Sequence, residues 1–150
     1  MVTSSDRPAG VLDTSTLILI DRLDASHLPD EPAITAVTLA ELSVGPLVTS
    51  DAAERAARQA RLQQVEATFD PIPFDAAAAR AFGLVAASLR RSGRKTQARA
   101  FDAMIAATAM ANDLAVYTCN PRDFEGIDDL VVIALSALPE TGPIAVDEGG

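Results

Sequence analysis

Five short apolar runs, "GVLD" (10–13), "AITA" (33–36), "DPIPF" (70–74), "LAVYTC" (114–119) and "LVVIAL" (130–135), punctuate a chain otherwise rich in helix formers. None of them alternates strictly between apolar and polar positions, so each reads as a strand buried on both faces. Strands of this kind, separated by helices, imply a parallel sheet with right-handed crossovers. The expected fold is therefore α/β: a three-layer α/β/α sandwich around a central, mostly parallel sheet of about five strands. Helices are expected over 14–23, over 37–45 with Gly45 closing it, over 52–69 capped by Asp51, from the Asp75 cap to residue 91, and from about 99 to 112. The prolines of "DPIPF" confine that strand to an edge.

A chain of 150 residues has room for one domain with its own core. We assign that domain to residues 1–135 and read the Pro-, Gly- and acid-containing segment 136–150 as a loose tail. With 49% hydrophobic but only 4% aromatic residues and no Trp, the core must be built from Ala, Val, Leu and Ile. No apolar run approaches the roughly 20 residues of a membrane helix, so no membrane role is expected. The start, "MVTSSDRPAG", lacks the basic-then-apolar profile of a secretory signal. Cys119 is the single cysteine, which excludes an internal disulfide framework and fits a reducing, cytoplasmic setting. With His27 as the single histidine, zinc sites and Ser-His-Asp triads of the usual kinds are disfavoured.

The net charge of −9 argues at first against nucleic acid. Yet Arg90, Arg91, Arg94, Lys95 and Arg99 fall close together, and Arg55, Arg58 and Arg61 share a helical face. A local basic stretch on an acidic chain suits a polyanion held beside a metal-binding centre, although a solvated helix end would look the same.

The acids are the sharper signal. In open parallel sheets, ligands bind beyond the carboxyl ends of the strands. Asp13 ends the first strand, and Asn120 and Asp123 follow the "LAVYTC" strand, so they belong to one sheet edge. Glu41 interrupts the apolar "VTLAELSVG", and Asp102 interrupts "RAFDAMIAATAMA" beside a stripe of Phe101, Met104, Ile105 and Thr108. Each has an ordinary explanation: Asp13 a helix N-cap, Glu41 a solvent-facing residue, Asp102 a first-turn acid and Asp123 a turn former. Together they would be four coincidences at one edge. Clustered carboxylates repel unless bridged by cations, and all-oxygen sites suit Mg²⁺ or Mn²⁺.

"VLDTS", "TLAELSVG", "RAFDAMIAATA" and "TCNPRDF", in this order and spacing, resemble the PIN-domain ribonucleases, and more narrowly the VapC-type toxins of bacterial toxin–antitoxin pairs. The resemblance spans roughly residues 11–135. It implies that Asp13, Glu41, Asp102 and Asp123 are catalytic metal-binding acids, supported by Asn120, Thr118 and Ser15. It implies an endoribonuclease in which a water activated by one or two Mg²⁺ or Mn²⁺ ions attacks the scissile phosphate, leaving 5′-phosphate and 3′-hydroxyl ends. Arg90, Arg91, Arg94, Lys95 and Arg99 would bind the RNA. A VapB-type antitoxin, reaching across the acidic pocket, and a homodimer are implied as partners.

Two rival functions fit an α/β chain. A phosphoryl-transfer domain would use Asp13 as nucleophile, but dehalogenase-like enzymes carry a second Asp where this chain has Ser15, and Lys95 is the only lysine. A non-catalytic α/β binding module, nucleotide-binding or scaffolding, is the other, and neither G-x-G-x-x-G nor a P-loop is present to support it.

Overall fold

The computed structural model describes residues 8–139. Strands β1 (Gly10–Leu12), β2 (Pro32–Ala33), β3 (Ala115–Thr118) and β4 (Val132–Ala134) form one parallel sheet in the order β2-β1-β3-β4. Helices α1 (Thr14–Ile18), α2 (Ala36–Val44), α3 (Ala52–Thr68), α4 (Ala76–Arg91) and α5 (Ala100–Ala111) complete an α/β sandwich.

The register explains why the strands lack alternation. Val11 lies opposite Val116, and Leu12 opposite Tyr117. Val11 and Val116 face a core shared with Val85, Leu89, Ile105 and Phe124. Leu12 and Tyr117 face a second core with Leu17, Ile34, Leu42 and Val65. Both faces are covered, so the strand positions are apolar except Thr118 at the carboxyl end of β3. Gly10 is required at the start of β1, because a Cβ there would collide with the Tyr117 ring.

The fifth expected strand is reduced to a bridge. Ile72 donates its N–H to Ile34 O (2.9 Å) and accepts from Ala36 N (2.8 Å), pairing with Thr35 in parallel. Pro71 and Pro73 flank it without N–H groups on the side facing away from Ile34, so no further strand can pair there and the segment stays an edge. The expected helix 14–23 is shorter than its apolar spacing suggests. It stops at Ile18, and a 3₁₀ turn, Ile20–Arg22, lets Leu23 form an antiparallel bridge with Ala137. Gly45 does not close α2 in a left-handed conformation; at φ −47° it continues into a 3₁₀ turn, Gly45–Leu47.

Caps at Asp51 and Asp75 are as expected, accepting from Glu54 N (2.9 Å) and Ala78 N (3.0 Å). Of the segment expected to be a tail, Leu138 N donates to Arg22 O (2.7 Å). Residues 140–150 lie outside the described residues. Among the described residues, no helix is long and apolar enough to cross a membrane.

Candidate active site

Asp13 directly follows β1 and is the N-cap of α1, so strand end and helix start meet at one carboxylate. Its Oδ1 accepts from Thr16 N at 3.3 Å. Its Oδ2 accepts from the hydroxyls of Thr118 (2.9 Å) and Ser15 (3.3 Å). The side chain is only 2% exposed. The capping explanation of Asp13 is therefore true, and it leaves the functional one intact, because Oδ1 accepts one bond and keeps a second lone pair.

Thr118 ends β3 beside β1, and its Oγ1 also accepts from Asn120 N (2.9 Å). The Asn120 amide donates to Ser15 Oγ (3.2 Å). These side chains tie the β3 end to the β1 end through hydroxyls.

Glu41 comes in from α2. The Thr14 hydroxyl donates to its Oε1 at 2.8 Å, and the hydroxyls of Thr14 and Thr38 stand 3.0 Å apart. Burial pushes the Glu41 carboxyl up from the ordinary range and the charge of Asp13 adds to this, against the lowering effect of the Thr14 bond. Thr14 and Thr38 were not among the expected site residues. Their signal was present: Thr14 adjoins Asp13, and Thr38 shares a helical face with Glu41 three residues on.

Asp102 lies in the first turn of α5. Its carboxyl is pushed up to about 6, first by desolvation, then by the charges of Asp123, Asp13 and Glu41, with Arg99 opposing. Asp102 thus feels the other three acids at once. Asp123 sits in the 3₁₀ turn Pro121–Phe124 after β3, with Arg99 Nη1 3.6 Å from its Oδ1. Among the stripe residues near Asp102, Ile105 and Thr108 are buried, whereas Phe101 is 55% exposed and belongs to the surface.

The four acids are electrostatic neighbours, not a closed cage. Among the described residues, no group of three or more His, Cys, Asp or Glu stands ready to hold a metal ion. The donor set nonetheless suits a hard cation. Every donor is an oxygen, and the like charges that raise Asp102 are what a divalent ion would offset. Mg²⁺ commonly keeps several waters and takes one or two carboxylates, so a three-ligand cage is not required. A cleft of about 520 Å³ lies elsewhere, at the amino ends of the strands between Met110, Asp113, Tyr117 and Ile133.

The expected basic stretch is largely committed to acids. Arg91 pairs with Asp128 (2.6 Å), Arg94 with Glu125 (2.6 Å), and Arg99 with Asp123 (3.6 Å). Arg90 and Lys95 are exposed and have no ion pair among the described residues. Arg58 pairs with Glu54 and donates to Gly45 O (2.9 Å), so its cluster too is partly structural.

A parallel sheet with acids gathered at its carboxyl edge is the arrangement of a PIN domain; that family's profile matches residues 11–130, and the chain belongs to the family. It is 41% identical over 128 residues to Ribonuclease VapC5 of Mycobacterium tuberculosis, covering 83% of this chain and 92% of that protein. It is 34% identical over 126 residues to Ribonuclease VapC4 of the same organism, covering 82% of this chain and 94% of the relative. Among solved structures, VapBC-5 from Mycobacterium tuberculosis, a member of the VapBC family of toxin–antitoxin systems, superposes with a TM-score of 0.73 at 39% identity, over 84% of this chain and 98% of that one. VapBC2 from Rickettsia felis, at 22% identity and a TM-score of 0.67 over 84% of this chain and 98% of that one, shares the fold.

Proposed function

We propose that this chain is the ribonuclease toxin of a VapBC-type pair, a metal-dependent endoribonuclease whose centre is Asp13, Glu41, Asp102 and Asp123. The observation that carries the reading is the convergence of four acids, from the end of β1, from α2, from the first turn of α5 and from the turn after β3, where the charges of Asp123, Asp13 and Glu41 reach Asp102. A divalent cation would offset that repulsion.

Asp13, Glu41, Asp102 and Asp123 would hold Mg²⁺ or Mn²⁺. The bound ion would acidify a water and offset charge on the leaving 3′-oxygen. The protein's own part is orientation: Thr118 and Ser15 hold Asp13, Thr14 holds Glu41 with Thr38 beside it, and Asn120 fixes Ser15. A phosphoryl-transfer reading with Asp13 as nucleophile is the weaker one, because Ser15 stands where such enzymes carry a second Asp and Lys95 is the only lysine. Flanking RNA phosphates fall to Arg90 and Lys95, which have no ion pair among the described residues.

A VapB-type antitoxin is the cognate partner, as the named relatives and the VapBC-5 structure suggest. Homodimerisation fits the apolar side chains of Leu84 and Phe101, 67% and 55% exposed on α4 and α5. A cytoplasmic setting fits the free thiol of Cys119.

Purified protein freed of antitoxin should cleave structured RNA with Mg²⁺ or Mn²⁺ and stop with EDTA. Undiminished cleavage in EDTA would overturn the metal-dependent reading.

A further inference from the structure

Helix α4 ends in a turn that fixes where Arg94 goes. Gly93 adopts φ +79°, with Gly93 N bonded to Arg90 O (3.1 Å) and Arg94 N bonded to Leu89 O (2.9 Å). This is the Schellman arrangement, which a glycine permits without strain. It delivers Arg94 against the loop between β3 and β4. There Arg94 Nη2 meets Glu125 Oε2 at 2.6 Å, and its Nη1 donates to Arg122 O at 3.3 Å.

Arg99 reaches the same carbonyl. Its Nη1 donates to Arg122 O at 3.0 Å and stands 3.6 Å from Asp123 Oδ1. Around this centre, Arg91 pairs with Asp128 and Ser88 Oγ accepts from Asp128 N at 3.3 Å. Gly126 lies so close to Ser92 that an added Cβ would clash with its hydroxyl. One backbone carbonyl, next in sequence to Asp123, thus receives two guanidinium groups from a different part of the chain.

We propose that Arg94 and Arg99 are positioning residues that clamp the Asp123 loop through the Arg122 carbonyl and Glu125, setting where Asp123 stands relative to Asp13 and Asp102. The proposal rests on the metal-dependent reading above. It assigns these two arginines to the protein's own backbone, not to RNA phosphates. Exposed ion pairs contribute little individually, but here both arginine side chains are mostly buried, 28% and 29% exposed, and share an acceptor.

Glu125→Gln separates the clamp from a phosphate contact, because the two predict opposite signs. If Arg94 were a phosphate contact, removing its acidic partner would free it, lowering KM for RNA and steepening the salt dependence. A clamp loses grip instead. For both Glu125→Gln and Arg94→Gln we expect Mn²⁺ affinity, measured by calorimetry without RNA, to fall by roughly tenfold. We further expect kcat to fall with KM unchanged, and faster hydrogen exchange at the Asp123 and Glu125 amides. The double variant should be no worse than Arg94→Gln, which already removes the bond to Glu125 together with that to Arg122 O. Tighter RNA binding by Glu125→Gln with unchanged Mn²⁺ affinity would overturn the clamp. A wild-type protein that binds no Mn²⁺ would overturn the metal-dependent reading, and the exchange measurement would still decide whether the loop is clamped.

Discussion

The Thr118 hydroxyl donates to Asp13 Oδ2 at 2.9 Å although the two residues are 105 positions apart in sequence. Thr118 ends β3 and Asp13 follows β1, strands whose parallel pairing brings their carboxyl ends side by side. The bond therefore joins sheet register to chemistry: if β3 slipped by one residue, Thr118 would face the opposite side and leave Asp13 Oδ2 with the Ser15 hydroxyl as its remaining donor.

Asp13→Asn should separate capping from catalysis. Asparagine caps about as well as aspartate, so α1 should persist. The lost repulsion among the acids and the lost acceptor for Thr118 oppose each other at about 1 kcal/mol each, leaving metal-free stability near that of wild type. RNA cleavage should fall by roughly a hundredfold or more, and the rise in melting temperature on adding Mn²⁺ should shrink. Melts with EDTA and with Mn²⁺ beside a cleavage assay test this, and retained activity would remove Asp13 from the centre.

The pH dependence of stability follows from Asp102. Its folded pKa of about 6 lies above the ordinary 3.8, so the native state holds this proton more tightly than the unfolded chain does. The stabilisation is fully present below the unfolded value and is lost as pH rises through about 6. Asp102→Asn should accordingly melt higher than wild type at about pH 7.5 without metal, by on the order of 1 kcal/mol once screening of a half-exposed group is allowed for. At about pH 4 the two should converge. A melting difference that does not change across this window would contradict the crowding of Asp102.

Thr14 orients Glu41 through its hydroxyl alone. Thr14→Val removes that donor while keeping the shape, and Thr14→Ser keeps the donor. Calorimetry should find Mn²⁺ affinity lowered by roughly tenfold in the valine variant and close to wild type in the serine variant. Equal losses in both would mean that the methyl group, not the hydroxyl, matters.

Asp113 marks a place where the backbone is under local strain. It sits at φ +54° after α5, where Asp113 N bonds to Met110 O (3.2 Å) and Leu114 N to Ala109 O (2.9 Å). Glycine adopts this left-handed conformation freely. Asp113→Gly should stabilise by about 1 kcal/mol, raising the melting temperature by about 2–4 °C for a chain of this size. Because Asp113 precedes β3, at the sheet edge away from the acids, cleavage should not change.

Much of this protein was legible along the chain. Apolar runs without alternation announced a sheet covered on both faces, and Asp51 and Asp75 announced helix starts, because burial and capping act within a few residues of their cause. Acids placed at strand ends or inside apolar helices pointed to one edge for the same reason. What tertiary structure alone decided was pairing. Pro71 and Pro73 could be read as limiting a strand, but that Ile72 would meet Ile34 and Ala36 depends on how the chain folds back. The basic stretch reads along the chain as a row of like charges, and only the fold sets Glu125, Asp128 and Asp123 of the β3–β4 loop against it. Charge is a property of composition, but which charge it meets is a property of distance, and distances between remote segments exist only in the folded chain.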